Sequence, residues 1–211
     1  MDQTVPLSDY AKDTFVAPEL SKLTECNAID MTRHNPQCKH WVANFALNSM
    51  LRVNVANPHR AYIFMFLRRA EMSFHEHENG RLSLQNYIYH RSQRKDAIDL
   101  FLRAVYHFEN FMAQSYQAFL IMRKMTGEDF FAKGDGSVLE RLSLLHGRSK
   151  HAENTINSEQ LPTDATIPVW LSNGGLCAEN IEISYNEMAE ILKDVSTIAD
   201  RLSNPEPPAS T

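Results

Sequence analysis

The sequence predicts an all-α protein, an up-and-down helical bundle of four to five helices with a small β-hairpin before the last helix. Three observations carry that reading. Only 7 of the 211 residues are glycine, too few for a fold built from many tight β turns. Long stretches repeat apolar residues at three-and-four spacing, the period of one helix face. Two Ser-x-x-Glu signatures, Ser137-Val-Leu-Glu140 and Ser184-Tyr-Asn-Glu187, each stand at the head of such a stretch, where the serine caps backbone amides and the glutamate reaches back. A 24.2 kDa chain is large enough to bury a core without disulfide or metal staples.

Residues 1-35 contain Pro6 and Pro18 and hold no sustained period; they are read as an irregular N-terminal arm with one short helix near Ala17 to Thr24. The helical domain spans residues 36-203. Pro36 suits a first helical turn, and Trp41, Val42, Phe45, Ala46 and Met50 come after it at helical spacing. Asn57-Pro58 opens a second helix through Ala61, Phe64, Met65, Leu67 and Ala70, which Asn79-Gly80 is expected to stop. From Ser92 to Met125 there is neither Gly nor Pro, and Ala97, Phe101, Ala104, Val105, Phe108, Met112, Tyr116 and Phe119 form one stripe that ends before Gly127.

The fourth helix starts at Ser137 and carries Val138, Leu142, Leu145, Ala152 and Ile156 on one side. Residues 162-183 then change character. Val169, Trp170 and Leu171 lead to Asn173-Gly174-Gly175, and then to Leu176, Ile181 and Ile183, the pattern of a hairpin. Pro168 has no amide donor, so the first strand lies at a sheet edge or begins at Val169. The last helix starts after Ser184 with Met188, Ile191, Leu192, Val195, Ile198, Ala199 and Leu202. Residues 204-211, Asn-Pro-Glu-Pro-Pro-Ala-Ser-Thr, are expected to be a disordered tail.

Charge narrows the function classes. The net charge of -5 disfavours a general nucleic-acid binder, yet residues 1-151 hold 19 Lys and Arg against 16 Asp and Glu, whereas residues 152-211 hold 2 against 10. That asymmetry leaves room for a local basic surface. Cys26, Cys38 and Cys177 are widely spaced, with no Cys-x-x-Cys pair, so buried thiols are expected rather than disulfides or a zinc ribbon. The densest apolar run, Ala61 to Leu67, stops at Arg68-Arg69, short of the roughly 18 residues of a membrane span. Met1-Asp2-Gln3 lacks the basic start of a secretion signal, and the protein is read as cytoplasmic.

The chemistry-bearing segment is Arg141-Leu-Ser-Leu-Leu-His146-Gly-Arg148-Ser-Lys150-His151. At roughly 100° per residue, Arg141 and Arg148 stand about 20° apart and His151 about 60° from Arg148. His146 falls about 140° from Arg141, so a break at Gly147 or a second chain is needed for the two to meet. Guanidinium beside imidazole suits metal-independent RNA cleavage: one holds the scissile phosphate, the other moves the 2'-hydroxyl proton. Arg148 and Lys150 are the candidate RNA-binding residues. The competing reading is a solvated basic face, or an interface paired with the acidic C-terminal region.

His75-Glu76-His77-Glu78 resembles a metal cluster, but alternate residues of a helix point about 200° apart and cannot share an ion. Glu71 and His75, four apart, read as a surface pair. His107 and Glu109 could support a site inside the bundle, but the favoured reading of His107 is a satisfied core or surface histidine. No dinucleotide, phosphate-loop or nucleophile-elbow motif is present. No cofactor and no metal are expected.

An all-helical bundle with an arginine and a histidine separated by four to six residues, near the start of a late helix, resembles the HEPN superfamily. Its members include RNA-cleaving toxins and defence nucleases, and also non-catalytic adaptors. Arg141 and His146 fit with four residues between them, and Pro168-Val-Trp-Leu-Ser-Asn-Gly-Gly-Leu176 with Ser149-Lys150-His151 is similar to a run in uncharacterised bacterial HEPN-like proteins. The resemblance implies a homodimer whose facing fourth helices gather Arg141, His146, Arg148 and His151 as catalytic residues around RNA, in a toxin or bacterial defence system. It equally admits a non-catalytic dimerisation or partner-binding module with a protein partner. Leu142 stands where catalytic members usually carry a polar residue, and Gly147 lies beside His146.

Overall fold

The computed structural model describes residues 7-34, 40-51, 55-95, 97-157 and 166-204, which form mostly helix with one small antiparallel sheet. Ser8 accepts from the Ala11 amide and starts helix α1 (Asp9–Phe15). The short helix expected near Ala17 to Thr24 is only a 3-10 turn at Leu20–Lys22, and another turn comes at Thr32–His34. Between them the chain forms no regular helix or strand, and in this region Ala17, Leu20, Leu23, Ala28 and Met31 are buried in the common core. Their irregular spacing hides them from a helix or strand template. Arg91 holds this segment from below, donating to the Leu20 carbonyl at 2.8 Å and also to those of Ser21 and Leu23.

Helix α2 (Trp41–Leu51) buries Trp41 and Phe45; Trp41 packs on Phe74 with ring centroids 5.7 Å apart and donates through Nε1 to Asp200 at 2.7 Å. Its expected opener Pro36, like Cys38, lies outside the described residues. Next along the chain are two long helices, α3 (His59–Ser92) and α4 (Ile98–Thr126). They run antiparallel, with Arg69 meeting Gln114, Glu76 meeting His107 and Tyr87 meeting Phe101. Asn79-Gly80 does not stop α3, contrary to expectation. Gly80 is buried, and a Cβ there would stand 3.0 Å from the Phe108 ring, so the glycine serves close helix contact rather than chain reversal. The reversal comes at Gln93–Arg94, where Arg94 takes φ 56.

Helix α5 (Val138–Lys150) begins at Ser137, whose Oγ accepts from the Glu140 amide at 3.0 Å. The Glu140 carboxylate accepts instead from the amides of Gly134 and Gly136, so the expected reciprocal box is half formed. The helix runs through Gly147 and stops at His151, the C-cap. A separate short helix, α6 (Ala152–Asn157), comes directly after; it takes Ile156 off the α5 stripe and leaves it exposed.

The expected hairpin is the start of a three-stranded antiparallel meander, β1 (Trp170–Leu171), β2 (Gly175–Ala178) and β3 (Ile181–Ser184). Trp170 opposes Cys177 and Leu176 opposes Ile183. Pro168 precedes the first strand, which spares the ladder its missing donor. A side chain at Gly175 would run into the Ile183 carbonyl. Strand β3 leads directly into α7 (Tyr185–Ser203), where both arms of the Ser184/Glu187 box are formed. Met188, Ile191, Leu192, Val195 and Ala199 of α7 join residues of α2, α3, α4 and the sheet in one contiguous core. Cys26 and Cys177 are half-buried free thiols; burial raises both, Cys177 to about 11. No helix of the described residues is long and apolar enough to cross a membrane. Of the expected tail, Asn204 caps α7 and 205-211 lie outside the described residues.

Candidate functional site

Helix α5 is fastened on two sides, and its polar residues divide accordingly. On the side of the sheet and α7, Arg141 makes a two-pronged contact with Glu187, Nη2 to Oε1 at 2.6 Å and Nη1 to Oε2 at 3.3 Å, and Nη1 also donates to the Glu182 carbonyl at 2.7 Å. Burial would raise the Glu187 carboxyl, but hydrogen bonds from Arg141 and Ser184 and the Arg141 charge hold it below the usual carboxylate range. One carboxylate therefore caps α7 and pins α5. Arg148 meets Glu179 at 3.0 Å, a residue that takes φ 46 between β2 and β3. The 20° separation expected for Arg141 and Arg148 agrees with both reaching this side.

On the other side α5 docks on α4. The His146 ring lies 4.7 Å from Tyr116, whose ring is also 4.7 Å from Phe131. Ser149 donates to Glu109 at 2.8 Å, and burial raises the Glu109 carboxyl above its ordinary value. Burial also lowers the His146 pKa, with the nearby charges of Lys150 and His151 adding to the effect. Lys150 is exposed. His151 is not a residue of the helix face: it caps α5 with φ -114 and ψ 44, its amide on the Gly147 carbonyl, and its Nδ1 stands 3.8 Å from Glu153. The expected 60° relation to Arg148 fails because the helix has already ended.

The fold thus brings His146, Lys150 and His151 to one end of α5, and aims Arg141 and Arg148 at carboxylates of their own chain. Sequence reasoning missed those carboxylates. Glu187 was legible as a cap, and the acidic excess after residue 152 announced partners for a basic edge, but which arginine meets which glutamate depends on how the sheet folds back.

The other sequence candidates separate as well. His107 Nδ1 pairs with Glu76 at 2.7 Å across the α3/α4 seam, while Glu109 faces α5; the two do not form one site. Glu71 accepts from the Val42 amide rather than pairing with His75, which meets Asn79. Glu78 pairs with Arg81 at 2.6 Å. His77 is fully buried between Phe108 and Phe111. Among the described residues no three His, Cys, Asp or Glu side chains are placed to hold a metal ion. Compared with protein-family models, curated proteins and solved structures, the chain matches none of them.

Proposed function

We propose that the chain is a HEPN-like module, an up-and-down helical bundle that acts by association with another protein or a second copy of itself rather than by cutting RNA. One observation carries the reading: Glu187 and Glu179 of the same chain engage the two arginines expected to clamp a phosphate. To bind a phosphodiester, Arg141 must leave a two-pronged carboxylate contact that also belongs to the cap of α7. His146 meanwhile packs on Tyr116 of α4. The test is incubation of the purified protein with single-stranded RNA in EDTA. The expected result is no cleavage above buffer; cleavage abolished by His146→Ala overturns the reading.

One feature favours the second reading, RNA cleavage across a homodimer. His146, Lys150 and His151 lie together, and a lowered pKa keeps the His146 imidazole neutral, the form that accepts a hydroxyl proton. In that dimer Arg141 or Arg148 of the other copy would clamp the phosphate only by leaving Glu187 or Glu179 of its own chain. The same incubation decides between the two, with His151→Ala as the companion variant.

A further inference from the structure

Helix α3 is 34 residues long, and one line of its surface stays open among the described residues. Arg68, Met72, His75, Asn79, Leu82 and Asn86 follow one another at alternating steps of four and three, the narrow line of a coiled-coil contact rather than the broad stripe of a core-facing helix. All but the half-buried Asn79 are exposed, Met72 by 38% and Leu82 by 45%. The shoulders of the line are occupied within the chain. Arg69 meets Gln114 and Glu76 meets His107 on the α4 side, while on the other Glu71 accepts from the Val42 amide and Glu78 from Arg81. No described element covers the line between them.

The order of residues along the line indicates what it fits, because it complements its own reverse. With two copies antiparallel about a two-fold axis midway between His75 and Asn79, Met72 lies opposite Leu82, His75 opposite Asn79, and Arg68 opposite Asn86. Each pair occurs twice in such an isologous contact, and in every layer apolar meets apolar or polar meets polar. Tyr89, 63% exposed, continues the line and falls opposite the half-buried Met65. A slip of one heptad places Met72 opposite His75 in one direction and Leu82 opposite Asn79 in the other, each a polar group against an apolar one. Parallel pairing sets Arg68 beside Arg68. The antiparallel pair keeps those two guanidinium groups 18 residues apart along the axis, about 27 Å, well beyond the screening length of roughly 8–10 Å. The central layer is half prepared in one copy. Asn79 Nδ2 donates to His75 Nε2 at 2.9 Å, which leaves the His75 Nδ1–H and the Asn79 Oδ1 as a donor and an acceptor for the other copy. A polar layer of this kind fixes register between paired helices.

We propose that the outward line of α3 binds a second copy of this chain, the two helices antiparallel, with Met72 against Leu82, Arg68 donating to the Asn86 side-chain carbonyl, and the His75 and Asn79 layers at the two-fold axis. The contact uses a face other than the α5 edge, so Arg141 and Arg148 keep their own carboxylates in the pair. This deepens the association reading by naming its surface and its partner, and rests on that reading for its role though not for its geometry.

Sedimentation equilibrium of the intact chain and three variants tests it. The intact chain is expected to be a dimer at micromolar concentration. Leu82→Arg and Met72→Glu, made singly at these exposed positions, are each expected to give a monomer whose helical circular dichroism is unchanged. Asn86→Glu places a carboxylate opposite Arg68 twice in the dimer, and the dissociation constant is expected to fall about fivefold at low salt. In a parallel pair the new carboxylate faces its own copy, so a dimer weakened by Asn86→Glu overturns the proposed arrangement. A chain that stays monomeric at millimolar concentration overturns the proposal outright. So does a dimer that both Leu82→Arg and Met72→Glu leave intact, which places self-association on another face and leaves the association reading standing. Metal-free RNA cleavage abolished by His146→Ala overturns that reading and not the α3 contact.

Discussion

The α3/α4 seam and the sheet-facing edge of α5 each hold titratable side chains and keep them by opposite means. At the seam, His77 is fully buried, neither ring nitrogen has a hydrogen-bond partner among the described residues, and the edges of Phe108 and Phe111 stand with centroids 5.7 and 5.5 Å away. Burial, helped by the Arg81 charge and opposed by Asp30, lowers its pKa to about 4. It stays because it is neutral. At the edge, Arg141 and Arg148 are held by charge pairing, with Glu187 and Glu179 meeting them in partly exposed positions. The contrast shows that polar residues on an apolar stripe and a basic run on a helix face can both be parts of the packing, so a residue type suited to catalysis marks a site only when its partners leave it available.

The largest break is expected at the seam. Phe108 is fully buried against His77, Gly80 and Tyr185, and Phe108→Ala is expected to cost about 3–5 kcal/mol in a urea titration. Next comes acid. Unfolded His77 titrates near 6.5 and the folded residue near 4, so the unfolded chain binds the extra proton between those values. Stability is fully present above about pH 6.5 and falls by about 3 kcal/mol as the pH drops to 4. In His77→Leu that fall should flatten; an unchanged profile assigns the acid sensitivity elsewhere.

The edge should respond less. Arg141→Met removes the two-pronged contact with Glu187 and its support of the α7 cap, an expected loss of about 1.5 kcal/mol by thermal unfolding. Glu187 should then titrate higher by carbon-13 NMR, since hydrogen bonds and charge from Arg141 keep it low. Arg148→Ala is expected to cost under about 1 kcal/mol, with less effect in high salt, because Glu179 is 43% exposed. An Arg148 effect larger than that of Arg141 would reverse the ranking of the two pairs.

Much of the fold was legible in local chemistry. The Ser184/Glu187 box and the α7 stripe are complete within the sequence, and the Ser137 cap, the Gly127 stop and the stripe of α4 carry their own signals. Legibility failed where a local signal was answered by a distant partner. Asn79-Gly80 reads as a stop, but the Phe108 ring fills the space beside Gly80 and keeps the helix going. The segment from Ala17 to Met31 reads as an arm because its apolar residues keep no helical or strand period, yet all five are buried where Arg91 gathers the neighbouring carbonyls. The candidate site was half legible: periodicity placed Arg141 and Arg148 on one side and His146 on another, and the cap at His151 broke the pattern.

The sequence by itself determined a helical protein, the capped starts of α5 and α7, the strand-rich interruption between them and the basic run on α5, because hydrophobic period and capping act over a few residues. Only the tertiary structure decided the use of that run. Glu179 and Glu187 lie dozens of residues from the arginines they hold, and Tyr116 lies 30 positions before His146. Whether a guanidinium is free for a phosphate is a question of which carboxylate reaches it first, and that is set by how the sheet and α7 fold back against α5.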